Sequence, residues 1–148
     1  MFKTLAATAA LACAGTFVSA QDFILHNTED SFAEVAFAVE NAILSKGLVI
    51  DSVSHVGDML ERTKADVGAT QTIFTKADVF LFCSATVSRR VMEDDPMNIQ
   101  FCPYGISVFE SPETPGTVTV GYRAYPEGAM QEVQDLLHSI VTDALMLE

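Results

Sequence analysis

The chain has 148 residues and sets 8 Lys and Arg against 20 Asp and Glu, a formal net charge of −12. An acidic surface of this kind repels nucleic acid and anionic lipid within a Debye length, so no nucleic-acid partner is expected. What remains for the charge is solubility, or the steering of a cationic protein partner.

The first twenty residues, MFKTLAATAALACAGTFVSA, open with Lys3, run uncharged and apolar from Leu5 to Val18, and close on Val18-Ser19-Ala20. This pattern predicts a secretory signal peptide over 1–20, cleaved after Ala20, and a periplasmic location. The apolar run is too short and wrongly flanked for a spanning helix. A lipid-anchored alternative would use Cys13, but in Ala10-Leu11-Ala12-Cys13 the leucine stands one position late for that signal. Without Lys3, 7 basic residues face 20 acidic ones, and the mature charge becomes −13 (7 − 20). No later segment is apolar for long enough to span a bilayer, so no integral membrane segment is expected. Residues 21–148 suit one domain around one core.

Asp22 to Asn27 reads as a short strand. Ser31 with Glu34 three residues on is a capping box, and behind it Phe32, Val35, Ala36, Val39 and Ile43 recur at helical spacing. Lys46-Gly47 ends that helix with a cation and a glycine cap. Leu48 to Val56 alternates as a strand broken by Gly57. Asp58 to Val67 suggests a shorter, mostly exposed helix. Val79-Phe80-Leu81-Phe82 is a continuous apolar run, as expected of a strand covered on both faces. Cys83 closes it, and Ser84 is a good N-cap for a helix that Asp94-Asp95-Pro96 stops. Ile106 to Glu110 and Thr117 to Tyr122 read as a hairpin around the turn-rich Ser111 to Gly116. Last comes an amphipathic helix striped by Met130, Val133, Leu137, Ile140, Ala144 and Leu147. Two strong amphipathic helices can cover one face of a small sheet. The predicted fold is α+β, a two-layer sandwich with a largely antiparallel sheet and helices on one face.

The stretch "VFLFCSATVSRRVMEDDPMNIQFCPYGISVFE" resembles the core of the family called domain of unknown function 302. The matching residues are Phe82-Cys83, Asp95-Pro96, Pro103 and Ile106 to Glu110. The likeness extends to the first helix ending in Lys-Gly and to the long last helix. Two positions depart from the family pattern. Ser84-Ala85 replaces Asn-Pro, and in Cys102-Pro103-Tyr104 the tyrosine stands where the family usually has a cysteine. The resemblance implies a TATA-binding-protein-like α+β arrangement and a homodimer, and no activity.

The pair Cys83 and Cys102 admits three readings. An exported protein meets oxidants, which favours a disulfide. Closing the loop between them would contribute about 3 kcal/mol in the chain-entropy account. A reactive thiol is the second reading, because Cys83 precedes a helix N-terminus with Arg89 and Arg90 further along. A metal site is the third, but His26, His55 and His138 are isolated and no ligand spacing supports it. If the neighbouring strands are parallel the cysteines lie far apart, and if antiparallel they meet. The family resemblance implies the antiparallel case.

Glu93-Asp94-Asp95 lacks the alternation of a calcium loop. No nucleophile elbow, phosphate loop or dinucleotide fingerprint is present, so no catalytic residue, metal ligand or cofactor is assigned. The sequence reading is an exported small-ligand or partner-binding accessory module. Its alternative is a thiol-dependent redox or metal-handling protein using Cys83 and Cys102. The functional stretch singled out is Cys83, Arg89, Arg90, Cys102, Pro103 and Tyr104.

Overall fold

A computed structural model describes residues 22–147. The signal peptide expected over 1–20, and Cys13 within it, lie outside those residues. The chain runs β1 (Phe23–Thr28), α1 (Phe32–Ser45), β2 (Val49–Ser54), α2 (Val56–Thr63), β3 (Lys76–Cys83) and α3 (Ala85–Asp94). A 3₁₀ helix (Pro96–Phe101), β4 (Tyr104–Glu110), β5 (Val118–Arg123) and α4 (Gln131–Leu145) follow. The five strands form one sheet in the order β1-β5-β4-β3-β2, each neighbour antiparallel. This is the expected α+β architecture.

Local chemistry explains the elements. The Ser31 hydroxyl accepts from the Glu34 N–H, and the Glu34 carboxylate accepts from the Ser31 N–H, closing the capping box. Gly47 takes φ +73 after the C-cap, the left-handed turn that suits glycine. Val35, Val39, Ala42 and Ile43 of α1 then face Val133, Leu137, Ile140 and Val141 of α4 in one buried cluster. Both stripes lie on the same face of the sheet, over Phe80, Phe82, Ile106, Val108, Val120 and Tyr122. Burying side chains of that size stabilises by roughly 1.5–3 kcal/mol each, before the entropy of ordering them is set against it.

Three details differ from expectation, and a short 3₁₀ helix is added to them. The strand predicted over Leu48 to Val56 stops at Ser54, carries an irregularity between Ile50 and Ser52, and yields to α2 at Val56. α2 correspondingly starts and ends earlier than Asp58 to Val67. The stretch Met97 to Gln100 belongs to the 3₁₀ helix, because Pro96 sits at its first position and Asp95 accepts from the Met97 N–H. Finally, β3 is sealed by helices on one side. Phe80 and Phe82 are buried, while Val79 and Leu81 are half-buried on the opposite face with Gly105 and Ser107 as cross-strand partners. The four-residue apolar run is therefore not a strand under two helical layers.

Candidate functional site

Two features meet where β3 ends and β4 begins. The first is a thiol corner. Cys83 is the last residue of β3, and Cys102 caps the 3₁₀ helix two residues before β4. The ladder pairs Phe82 with Tyr104, so the antiparallel register itself carries the two cysteines together. Their sulfurs lie 2.9 Å apart as free thiols. Both side chains are half-buried. The Ser88 hydroxyl, from α3, lies 3.6 Å from the Cys102 sulfur and 2.9 Å from the Tyr104 hydroxyl. Tyr104 itself is buried, edge-on to Phe82 and Tyr125.

Electrostatics at this corner favour protonated groups. Burial, followed by the hydrogen bond with Cys102, pushes the Cys83 thiol up to about 12, and the nearby Asp51 charge acts in the same direction. Burial likewise raises the Tyr104 phenol to about 12 against a lowering contribution from Ser88. Of the three readings left open for the pair, the thiolate activated by Arg89 and Arg90 is the one that the Cys83 shift opposes. Arg89 pairs with Glu93 and Arg90 with Glu132, both at the surface, and neither contributes to the thiol. Of the six residues singled out, the structure gathers Cys83, Cys102 and Tyr104 into the corner. Pro103 turns to the neighbouring cavity, and the two arginines point away. Among the described residues no group of three or more His, Cys, Asp or Glu is placed to hold a metal ion.

The second feature is a groove over the uncovered sheet face. A cavity of about 240 Å³ is lined by Val79 and Leu81 of β3, Phe23 of β1, Phe101 and Pro103 beside the thiol corner, and Arg123 at the end of β5. An adjoining cavity of about 350 Å³ shares Phe23, Val79 and Ser107 with it and continues toward Phe74 and Phe109. Alternation along the strands explains the lining. Val118, Val120 and Tyr122 face the core, so Gly121 and Arg123 must face the groove. A Cβ on Gly121 would run into the Phe23 ring and the Leu25 side chain, so glycine is what lets β1 lay its apolar side chains across β5. In the first cavity Arg123 is the sole charged lining residue, and among the described residues it has no ion-pair partner.

Sequence reasoning missed Ser88, Arg123 and Phe23. Ser88 carried a signal: it follows the Ser84 cap by four residues, hence on the same side of α3. Arg123 fell one residue beyond the predicted strand, so its face was not considered.

The comparisons with known proteins agree with this architecture. The family described as "Domain of unknown function DUF302" matches residues 24–145, and the chain belongs to it. A crystal structure of the uncharacterized conserved protein DUF302 from Bacillus stearothermophilus superposes with a TM-score of 0.60 at 13% identity. It covers 84% of this chain and 93% of that one, a likeness that establishes the fold. No curated protein matches the chain. Among the described residues no helix is long and apolar enough to cross a membrane.

Proposed function

We propose that this DUF302 protein is an exported binding module whose groove takes a small molecule with an apolar body and an anionic end. The observation that carries this is Arg123. In a chain with 20 acidic residues, the first cavity is lined by apolar side chains, the polar Gln100, Ser107 and Tyr125, and one cation, with no carboxylate among them. A concave, mostly apolar site with a few placed polar groups is the usual form of a small-molecule site. The guanidinium supplies the bidentate donor that a carboxylate or phosphate end would use, and the Gln100 side chain lies at the same cavity.

Export enters this reading through residues 1–20, and mass spectrometry of the secreted protein should find an N-terminus at Gln21. For the ligand, sodium octanoate, octanol and octylammonium form a matched probe series in titration calorimetry. Octanoate is expected to bind best, and Arg123→Gln to weaken octanoate by about tenfold or more while leaving octanol unchanged, given the usual strength of a hydrogen bond to a charged group. Equal binding of all three, or none, overturns the reading. A homodimer, which the family resemblance implies, competes with the ligand only if it forms through this face. Sedimentation showing a dimer that Leu25→Asp dissociates would assign the groove to a second copy instead.

A further inference from the structure

We propose that Cys83 and Cys102 form an oxidisable dithiol that closes into an intramolecular disulfide by exchange with a disulfide borne by a small thiol or a partner protein. The geometry carries the proposal. The two sulfurs are already in contact at 2.9 Å, and a bond needs roughly 2.05 Å. The remaining approach is less than the reach of a side-chain rotation. The partners are not held by a wandering loop. Cys83 is fixed by pairing with Val49 on one side, and the next rung places Phe82 opposite Tyr104 on the other. Cys102 is fixed from its own side by a backbone bond from its N–H to the Ile99 carbonyl.

The chemistry balances as ordinary thiol–disulfide exchange. One thiol of the pair loses its proton and attacks the donor disulfide, whose S–S bond breaks and releases a first thiol. The second thiol of the pair then attacks the mixed disulfide, forming the Cys83–Cys102 bond and releasing a second thiol. The pair gives up two electrons and two protons, and the donor disulfide is reduced by both.

The surroundings decide which way that exchange lies. A dithiol becomes a strong oxidant when its reduced form is stabilised as a thiolate. Here, among the described residues, no cation acts on the Cys83 sulfur, burial raises its thiol, and the Asp51 charge opposes ionisation. The closed form is therefore the favoured one wherever disulfide donors are present, and exchange begins slowly because little thiolate is available. Closure also has a defined mechanical effect. It ties the two ends of the excursion that contains α3 and the 3₁₀ helix, a unit otherwise held by Val87, Val91 and Phe101 in the core and by the Asn98 side chain donating to the Val91 carbonyl.

The test incubates the folded mature protein, residues 21–148, in which Cys83 and Cys102 are the two cysteines, in oxidised glutathione, quenches with iodoacetamide, and weighs it. The expected species is 2 Da lighter than the reduced chain with no alkylation, and reduction restores two alkylated thiols. Cys83→Ser and Cys102→Ser should each stop at a stable glutathione adduct, because the second attack has no thiol. Melting temperature should rise on oxidation of the wild type and not rise for either variant. Two thiols still alkylated after prolonged oxidation, or a wild type that stops at a glutathione adduct, overturns the proposal. Octanoate binding is recorded on the same samples, so loss of the clasp and loss of the groove reading are seen separately.

Discussion

The two faces of the sheet differ in what covers them. On one, α1 and α4 seal Phe82, Ile106, Val108 and Val120 to essentially no exposure. On the other, Phe23 is 46% and Leu25 52% exposed, and Val49 at the β2 edge is 72% exposed. Both faces carry large apolar side chains, so these alone do not separate them. What separates them is supply: the two long amphipathic helices both pack on the same side. Apolar area without a helix above it stays available, and an extended apolar face on an acidic protein marks a place where something else binds.

The widest contrast is in stability. Phe82→Ala removes a fully buried ring edge-on to Tyr104 and should cost about 3–5 kcal/mol in urea unfolding. Leu25→Ala on the open face should cost about 1 kcal/mol or less, since half the side chain already meets water. Comparable losses for both would mean that the open face is sealed in solution, as a second copy would seal it.

Much of this was legible beforehand. Helical spacing placed α1 and α4 because their stripes are long and interrupted only by polar residues, and capping chemistry fixed both ends of α1 at Ser31 and Gly47 and the start of α3 at Ser84. The cysteine contact was legible once the strands were taken as antiparallel neighbours. The groove was not. Period-two alternation says which residues share a face, but not which face receives the helices. The run Val79 to Phe82 hid even the alternation, because its outward residues are as apolar as its inward ones. The state of the thiol was also hidden, since desolvation depends on packing that spacing does not report.

Gly121→Val probes the open face at its closest approach. The new side chain meets the Phe23 ring and Leu25, but those partners are about half exposed and can swing outward. The expected cost is about 1 kcal/mol, at the low end for overpacking. Octanoate binding should fall because Phe23 is displaced into the groove. A loss as large as that of Phe82→Ala would show β1 to be as rigidly packed as the core.

The thiol corner gives a smaller, pH-dependent effect. For Cys83 the folded value is raised from 9.0 to about 12, so between these limits the unfolded chain loses a proton that the folded chain keeps. Stability of the reduced protein should therefore fall as pH rises from 9 toward 12. Cys83→Ser should flatten that fall in thermal unfolding, and an unchanged slope would show the thiol to be well solvated.

The smallest expected effect lies where the faces join. Asp78 is opposite Val108 in the ladder, in register with the covered face, yet it also borders the second cavity. Its carboxylate lies 2.7 Å from the Nδ1 of His55, at the start of α2. The hydrogen bond to Asp78, then its charge and that of Asp58, raise the histidine above its usual 6.5. A raised value means that the charged imidazole is favoured by folding. Its contribution is fully present below about pH 6.5 and is lost as pH rises through the higher folded value. Because His55 is exposed, solvent screens the pair and little stability is at stake. The sharper readout is the imidazole itself. In an NMR titration His55 should have its midpoint above 6.5, and Asp78→Asn should return it toward that value while Phe82→Ala, if still folded, should not. A wild-type midpoint at or below 6.5 would mean that the Asp78–His55 pair does not hold in solution.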